Sequence, residues 1–516
     1  MSEPIHSSLK SNGVAPSTAR RKTLEQILRE NNTHGLKRSL TATQLVMLGI
    51  GSVIGAGIYV TIGTASAEFA GPSVMVSFVI AALACLFTAL AYGELASTLP
   101  VSGSAYSYAY ITMGEKAAWV VGWLLLLEYG ISCTAVAAGL SGYMTSLLDL
   151  TGLHVPAYLS HATLQPVPGS DGTLIAAGWQ ADLIGLVAVI LISLLLARGV
   201  EESSRVNTLI VALKVGVLLV FVLLGIRWIN PANLHPFFPA YTGGFHFGVP
   251  GIFRASSVIF FAYVGFEAVS TASSEAKNPT RDVPIGIIGS LLICTVIYVI
   301  VAFVLIGVVP YKQLDVADPL AIAVRAMHTP WLSFFINIGA TVGLCSVLMG
   351  LLYAQSRILL TMGRDGLIPK IFSRVSPRYH TPAYGSIILG IIVAIMTATM
   401  PIDIISDLVS IGTAAAFGIV CFTVIWQRNT RPDIERPFSV PLGGITVKGI
   451  WIGTVPSLGI LFSLIMTGPL IIDLIRATLH GNPVPLGLLG SYILIGVLTY
   501  RYYGRHNSTM RDITTQ

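Results

Sequence analysis

Three glycines interrupt an otherwise apolar run at Gly51-Ser52-Val53-Ile54-Gly55-Ala56-Gly57, and a second interruption follows at Phe260-Phe261-Ala262-Tyr263-Val264-Gly265. The chemistry available at such breaks is that of the main chain. Glycine lets a helix unwind at low steric cost, and unwound backbone is tolerated at membrane depth only where it lines a cavity. After the first break, the N–H groups of Gly55, Ala56 and Gly57 would stand at a half-helix N-terminus, where partial positive charge favours an anion such as a carboxylate. Carbonyls freed at Val53, Phe261, Ala262 and Val264 would accept from an ammonium group. One site would then hold both ends of a zwitterion. Gly51 and Gly55 also have the spacing that lets two membrane helices pack closely, but a matching break in a corresponding later segment favours a binding site.

Two ionisable residues interrupt apolar runs elsewhere. Lys214 lies in Leu209-Ile210-Val211-Ala212-Leu213-Lys214-Val215-Gly216-Val217 with no acid beside it. At ~1.5 Å per residue from a start near Val206, it sits roughly 12 Å into a bilayer. A lysine at that depth either snorkels to the interface or marks an ion or proton pathway. Removal from water makes its proton exchangeable during a working cycle. Glu128, in Leu124-Leu125-Leu126-Leu127-Glu128-Tyr129-Gly130, faces protein or a cavity rather than lipid, where it either touches a ligand or pairs structurally. Glu94 and Glu267 read as gate or network residues, and Arg254, at the start of its apolar run, as a snorkelling cation.

These groups need helices to carry them. The chain has 516 residues, 54% hydrophobic and 10% charged, with a mean hydropathy of +0.77; a soluble chain carries roughly 25% charged residues. The expectation is an all-α polytopic membrane protein with about twelve spans of roughly 17 residues or more, near 43–69, 74–99, 117–147, 179–198, 206–227, 249–273, 284–309, 330–356, 383–400, 404–426, 449–475 and 485–500. The breaks occupy the first and sixth spans, corresponding positions of two five-span halves. Because five is odd, the halves insert with opposite topology, giving a five-plus-five inverted repeat with spans eleven and twelve peripheral.

The net charge of +6 is distributed as a topology signal rather than as a nucleic-acid patch. Lysine and arginine crowd 10–38, 277–281, 364–378 and 428–436, and are missing from 149–178. Both termini are therefore expected in the cytoplasm, with a tail at 1–42, a transporter domain at 43–502 and a second tail at 503–516. Leu24, Ile27 and Leu28 beside Arg21, Lys22 and Arg29 suit a short interfacial helix or a disordered tail equally. Cys85, Cys133, Cys294, Cys345 and Cys421 all fall in spans as small packing residues. Neither a metal-ligand spacing nor a nucleophile–base constellation occurs, so neither an enzyme nor a cofactor is expected.

Further motifs run along the same chain: Leu36-Lys37-Arg38-Ser39-Leu40, the 49–59 run, Pro100-Val101-Ser102-Gly103-Ser104-Ala105-Tyr106, Phe260 to Ser270, Asn278-Pro279, Gly363-Arg364-Asp365-Gly366-Leu367 and Arg431-Pro432-Asp433. In order and spacing the sequence resembles the amino acid-polyamine-organocation superfamily, specifically bacterial members of its cationic amino acid transporter family, over about residues 36 to 503. The resemblance implies alternating access, with amino acid binding between the first and sixth helices. It matches Lys214 to a fifth-helix lysine whose ammonium replaces a sodium ion in proton-coupled relatives. Leu351 falls where animal cationic transporters carry a small residue; leucine there would exclude a long cationic side chain. Ala56 and Glu267 depart from the threonine and aspartate common in bacterial relatives.

The expected function is secondary active transport of neutral L-amino acids across the cytoplasmic membrane, with protons as the coupling ion. An exchanger, a cationic amino acid transporter and a non-transporting amino acid sensor are the alternatives. The lipid bilayer is an expected partner, and an accessory subunit is left open.

Overall fold

Within hydrocarbon every main-chain polar group must be satisfied inside its own segment, and the apolar runs accordingly fold as helices. The computed structural model describes residues 39–101, 104–166, 174–176, 178–199, 204–379 and 381–510. The expected interfacial helix near residue 24 lies outside them, as do 511–516. Among the described residues, nine helical stretches are long and apolar enough to cross a membrane, and three shorter apolar helices accompany them.

The first span begins with α1 (Ala42–Val53), which Thr41 and Gln44 cap reciprocally. After a break it continues as wide π-helical turns at Gly57–Thr61 and Ala65–Ala70, and Gly71 (φ +58°) turns the chain into α2 (Val74–Thr98). A short helix, α3 (Ser104–Thr112), precedes the long α4 (Glu115–Leu150). Then come α5 (Leu183–Ala197), whose first turn is capped by Asp182 accepting from the Gly185 N–H at 2.9 Å, and α6 (Ser204–Gly225). The second broken span comprises α7 (Gly248–Ile259), a 3-10 turn (Phe260–Tyr263) and the short α8 (Ala268–Thr271).

The remaining helices are α9 (Pro279–Val308), α10 (Pro319–Ala326), α11 (Pro330–Arg364), α12 (Ala383–Thr399), α13 (Ile402–Thr430), α14 (Thr454–Leu479) and α15 (Val484–Thr499). Proline opens α9, α10 and α11, where its missing N–H leaves no bond unmade and its fixed φ suits the first turn. Two small antiparallel hairpins, Leu164–Pro166 with Leu174–Ala176 and Gly444–Val447 with Ile450–Gly453, lie between helices. The second hairpin corrects a span boundary: Gly449 belongs to its turn and Ile450–Gly453 to its second strand, and the span begins at Thr454.

Burial is graded from the centre outward. The segment around the second break is 89% buried, whereas α14 and α15 are only 28% and 17% buried, which makes these two helices peripheral. All five cysteines are free.

Candidate functional site

The two breaks touch each other. α1 leaves helical geometry at Ile54 (φ −71°, ψ 94°). The second segment leaves it at Val264 (φ −55°, ψ 132°) and Gly265 (φ +120°). A Cβ on Gly57 would overlap the Cα and Cβ of Ala262, and one on Gly265 would lie 2.7 Å from the carbonyl of Ser52. These glycines are therefore required twice over, by the left-handed backbone at Gly265 and by the crossing of two main chains.

Breaking α1 frees the carbonyls of its last turn, and side chains from other helices take two of them. The Lys214 ammonium donates to the Gly51 carbonyl at 2.9 Å. The Tyr298 hydroxyl, on α9, lies 2.7 Å from the Val53 carbonyl and 3.2 Å from that of Ala262, one proton bridging the two breaks. The Phe261 carbonyl accepts the Val264 N–H at 3.0 Å. Three of the four carbonyls expected to meet an ammonium thus already have one donor, and each keeps a second lone pair.

At the crossing sits a small cavity of ≈ 10 Å³, about the room of one water molecule. Val53, Gly55, Ala56 and Gly57 line it from the first break, Phe261, Ala262 and Val264 from the second, and Leu351 from α11. Leu351 is 7% exposed, so it faces this cavity rather than lipid. The sequence reading missed Ser52, Ser132, Val136 and Val347, which also line it. A signal existed: Ser132 and Val136 continue the Glu128 stripe of α4 at four-residue steps, and Val347 lies one turn before Leu351. The wall combines the main chain of the two breaks with mostly apolar side chains, and the Ser52 and Ser132 hydroxyls on it donate to the carbonyls of Leu48 and Glu128.

Of the residues expected to contact the substrate, Glu128 does not reach the wall. Glu128 is fully buried one turn along α4, the Ser132 hydroxyl donates to its main-chain oxygen at 2.5 Å, and neither carboxylate oxygen has a hydrogen-bond partner among the described residues. Lys214, 1% exposed, stands behind α1 rather than in the cavity. It gets there because α6 packs tightly on Gly51, where a Cβ would lie 2.7 Å from Val211. Its ammonium meets the freed end of α1, whose carbonyls attract a cation.

The flanking charges form networks. Glu267 accepts the Gly265 N–H at 2.9 Å and the Tyr129 hydroxyl at 3.0 Å, pinning the second break to α4. Glu94 holds Arg428 of α13 at 2.5 and 2.8 Å and accepts the Val440 N–H at 2.7 Å. Arg254 does not snorkel. It is buried, forked onto Asp407 of α13 at 2.7 and 3.0 Å, bonded to Asp473 of α14 at 2.5 Å, and stacked 4.6 Å over the Phe69 ring. Acids on two neighbouring spans supply the partners that a buried guanidinium needs. Arg254→Leu would leave two facing carboxylates, so thermal unfolding of the purified protein should shift down by an amount matching a loss of about 3–5 kcal/mol. An unchanged midpoint would show that this cluster holds nothing together.

Comparison with known proteins adds to this geometry. The family model described as amino acid permease matches residues 40–498. The methylthioribose transporter of Bacillus subtilis (strain 168) is 42% identical over 82% of this chain and 88% of its own. The branched-chain amino acid permease BcaP of the same organism is 39% identical over 96% and 99%. A vacuolar cationic amino acid transporter 2 of Arabidopsis thaliana is 38% identical over 82% and 65%.

Proposed function

The chain belongs to the amino acid permease family and is a multi-pass membrane transport protein; from that premise we propose that it carries neutral L-amino acids by proton-coupled symport. The observation that carries this reading is the meeting of both broken segments around one cavity. There the amides of 55–57 suit a carboxylate, the remaining carbonyl lone pairs suit an ammonium, and Leu351, Val347 and Val136 suit an uncharged side chain. Two relatives named as branched-chain amino acid permeases, from Bacillus subtilis and Lactococcus lactis, support an apolar side chain.

The finer architecture of the proposal is twelve spans in a five-plus-five inverted repeat, supported by breaks in the first and sixth segments. Both termini face the cytoplasm across the cytoplasmic membrane, as the lysine and arginine distribution favours. Lys214 is the proton-carrying group, supported by its burial and its hold on the broken end of α1.

Competition against labelled alanine tests the substrate class. Alanine and leucine should inhibit the wild type and arginine should not. Leu351→Ser should gain arginine binding, with the unpartnered Glu128 carboxylate available to the guanidinium. Strong arginine inhibition of the wild type, or no change on substitution, would refute the pocket assignment. The name of the methylthioribose relative favours a second reading, a sugar-derived substrate; inhibition by methylthioribose but by no amino acid would establish that reading instead.

A further inference from the structure

A second cavity lies between α15 and a wall made by α4, α12 and α13. At ≈ 170 Å³ it is far larger than the ≈ 10 Å³ of the first. Leu127, Ile131, Met396, Leu408, Leu489 and Ile495 are among its lining side chains. Leu127, Ile131, Leu408 and Leu489 form a buried floor, whereas Ile495 at the rim is 53% exposed. The rim continues into exposed apolar faces of α15, at Leu494 and Leu498, and of α12, at Ile392 and Ile395, surfaces that a spanning helix turns to hydrocarbon.

Water has little reason to fill this space. The two polar side chains on its wall are already engaged: the Tyr492 hydroxyl donates to the Trp123 carbonyl at 2.6 Å and the Ser491 hydroxyl to that of Leu488 at 2.9 Å. A cavity lined by leucine and isoleucine stays dry and accepts apolar guests. The apolar material continuous with its rim is the bilayer itself.

We propose that this cavity binds one acyl chain of a membrane phospholipid, inserted between α15 and the helical core from the leaflet where α12 ends and α13 begins. The thioethers of Met396 and Met400 give the wall an adaptable shape for such a guest. The occupant also bears on the transport site. Leu127 and Ile131 immediately precede Glu128 and Ser132, so the two cavities lie on adjoining stripes of α4. On its other flank Leu127 is held by α13, where a Cβ on Gly412 would lie 2.9 Å from it. A seated acyl chain therefore braces α4 beside the substrate cavity, and it does so whatever the substrate is.

The test uses the purified full chain in liposomes containing phosphatidylglycerol with a photoreactive diazirine midway along one acyl chain. After irradiation, labelled peptides are mapped by mass spectrometry. The expected result is labelling of Leu408 and Leu489, which bulk lipid does not reach, at a level above that of Leu494 and Leu498. Leu489→Trp, which fills the cavity, should cut labelling of α13 several-fold, and Leu408→Ala, which enlarges it, should raise labelling of Leu489. The wild-type map and Leu408→Ala decide the matter where Leu489→Trp fails to fold. Labelling confined to the outward faces of α12 and α15, unchanged by either substitution, would overturn the proposal.

Discussion

Replacing Lys214 with alanine should abolish accumulation of amino acid driven by a proton gradient, while wild-type uptake survives exchange of sodium for potassium. The ammonium is buried and fixed 2.9 Å from the Gly51 carbonyl. A change in its protonation state would therefore change how firmly the broken end of α1 is held against α6. A ligand or proton shifts a conformational equilibrium only by its differential interaction with the two states, and making and breaking this contact would supply such a difference beside the cavity. Alanine also leaves the Gly51 carbonyl without its donor, a loss of about 1–3 kcal/mol. Lys214→Arg sharpens the test, since a guanidinium keeps its charge at any working pH. That variant should bind substrate yet fail to accumulate it. Strict sodium dependence of the wild type, or full accumulation by Lys214→Ala, would remove the lysine from the coupling step.

Gly57→Ala should cost affinity more than any single change on the cavity wall. The added methyl runs into the main chain of Ala262, and overpacking costs about 1–3 kcal/mol even where neighbours can yield. Here the neighbour is a Cα at the crossing of two broken helices, so the upper end applies and affinity should fall ~100-fold. Gly216→Ala, with open space around its added methyl, serves as the control and should leave uptake unchanged. Direct binding of labelled alanine to purified protein reads both. Equal affinity in Gly57→Ala and wild type would mean that the two segments do not meet as tightly as the geometry requires.

The breaks were legible in the sequence because glycine in an apolar run carries a physical consequence that few other residues share, a positive φ or a close main-chain approach. That signal led to Gly55, Gly57 and Gly265, and through them to the cavity. Lys214 was legible because a charge at that depth is costly. Ser132, Val136 and Val347 were harder to see. Helices buried on most sides, such as α4, have no polar face to reveal their rotation, and an apolar residue turned to a cavity looks like one turned to a neighbouring helix. Arg254 was misread for a related reason: its partners Asp407 and Asp473 lie far off in sequence, and only packing brings three helices together. The hairpin at 444–453 was hidden by Ile445, Ile450, Trp451 and Ile452, which raise the hydropathy of a strand to that of a span. Its turn residues Lys448 and Gly449, both at positive φ, were the cue that the apolar count overrode.

Concentrative, proton-driven transport of a neutral amino acid is the function proposed for the cavity at the crossing of the two breaks. Purified protein in sodium-free liposomes, given an inside-alkaline pH gradient and external labelled alanine, tests it most directly. Internal alanine should rise above the external concentration, a trapped pH dye should report acidification with each uptake, and collapsing the gradient with an ionophore should release the label. Alanine that binds without accumulating, or that enters only in exchange for internal amino acid with no movement of protons, would contradict it.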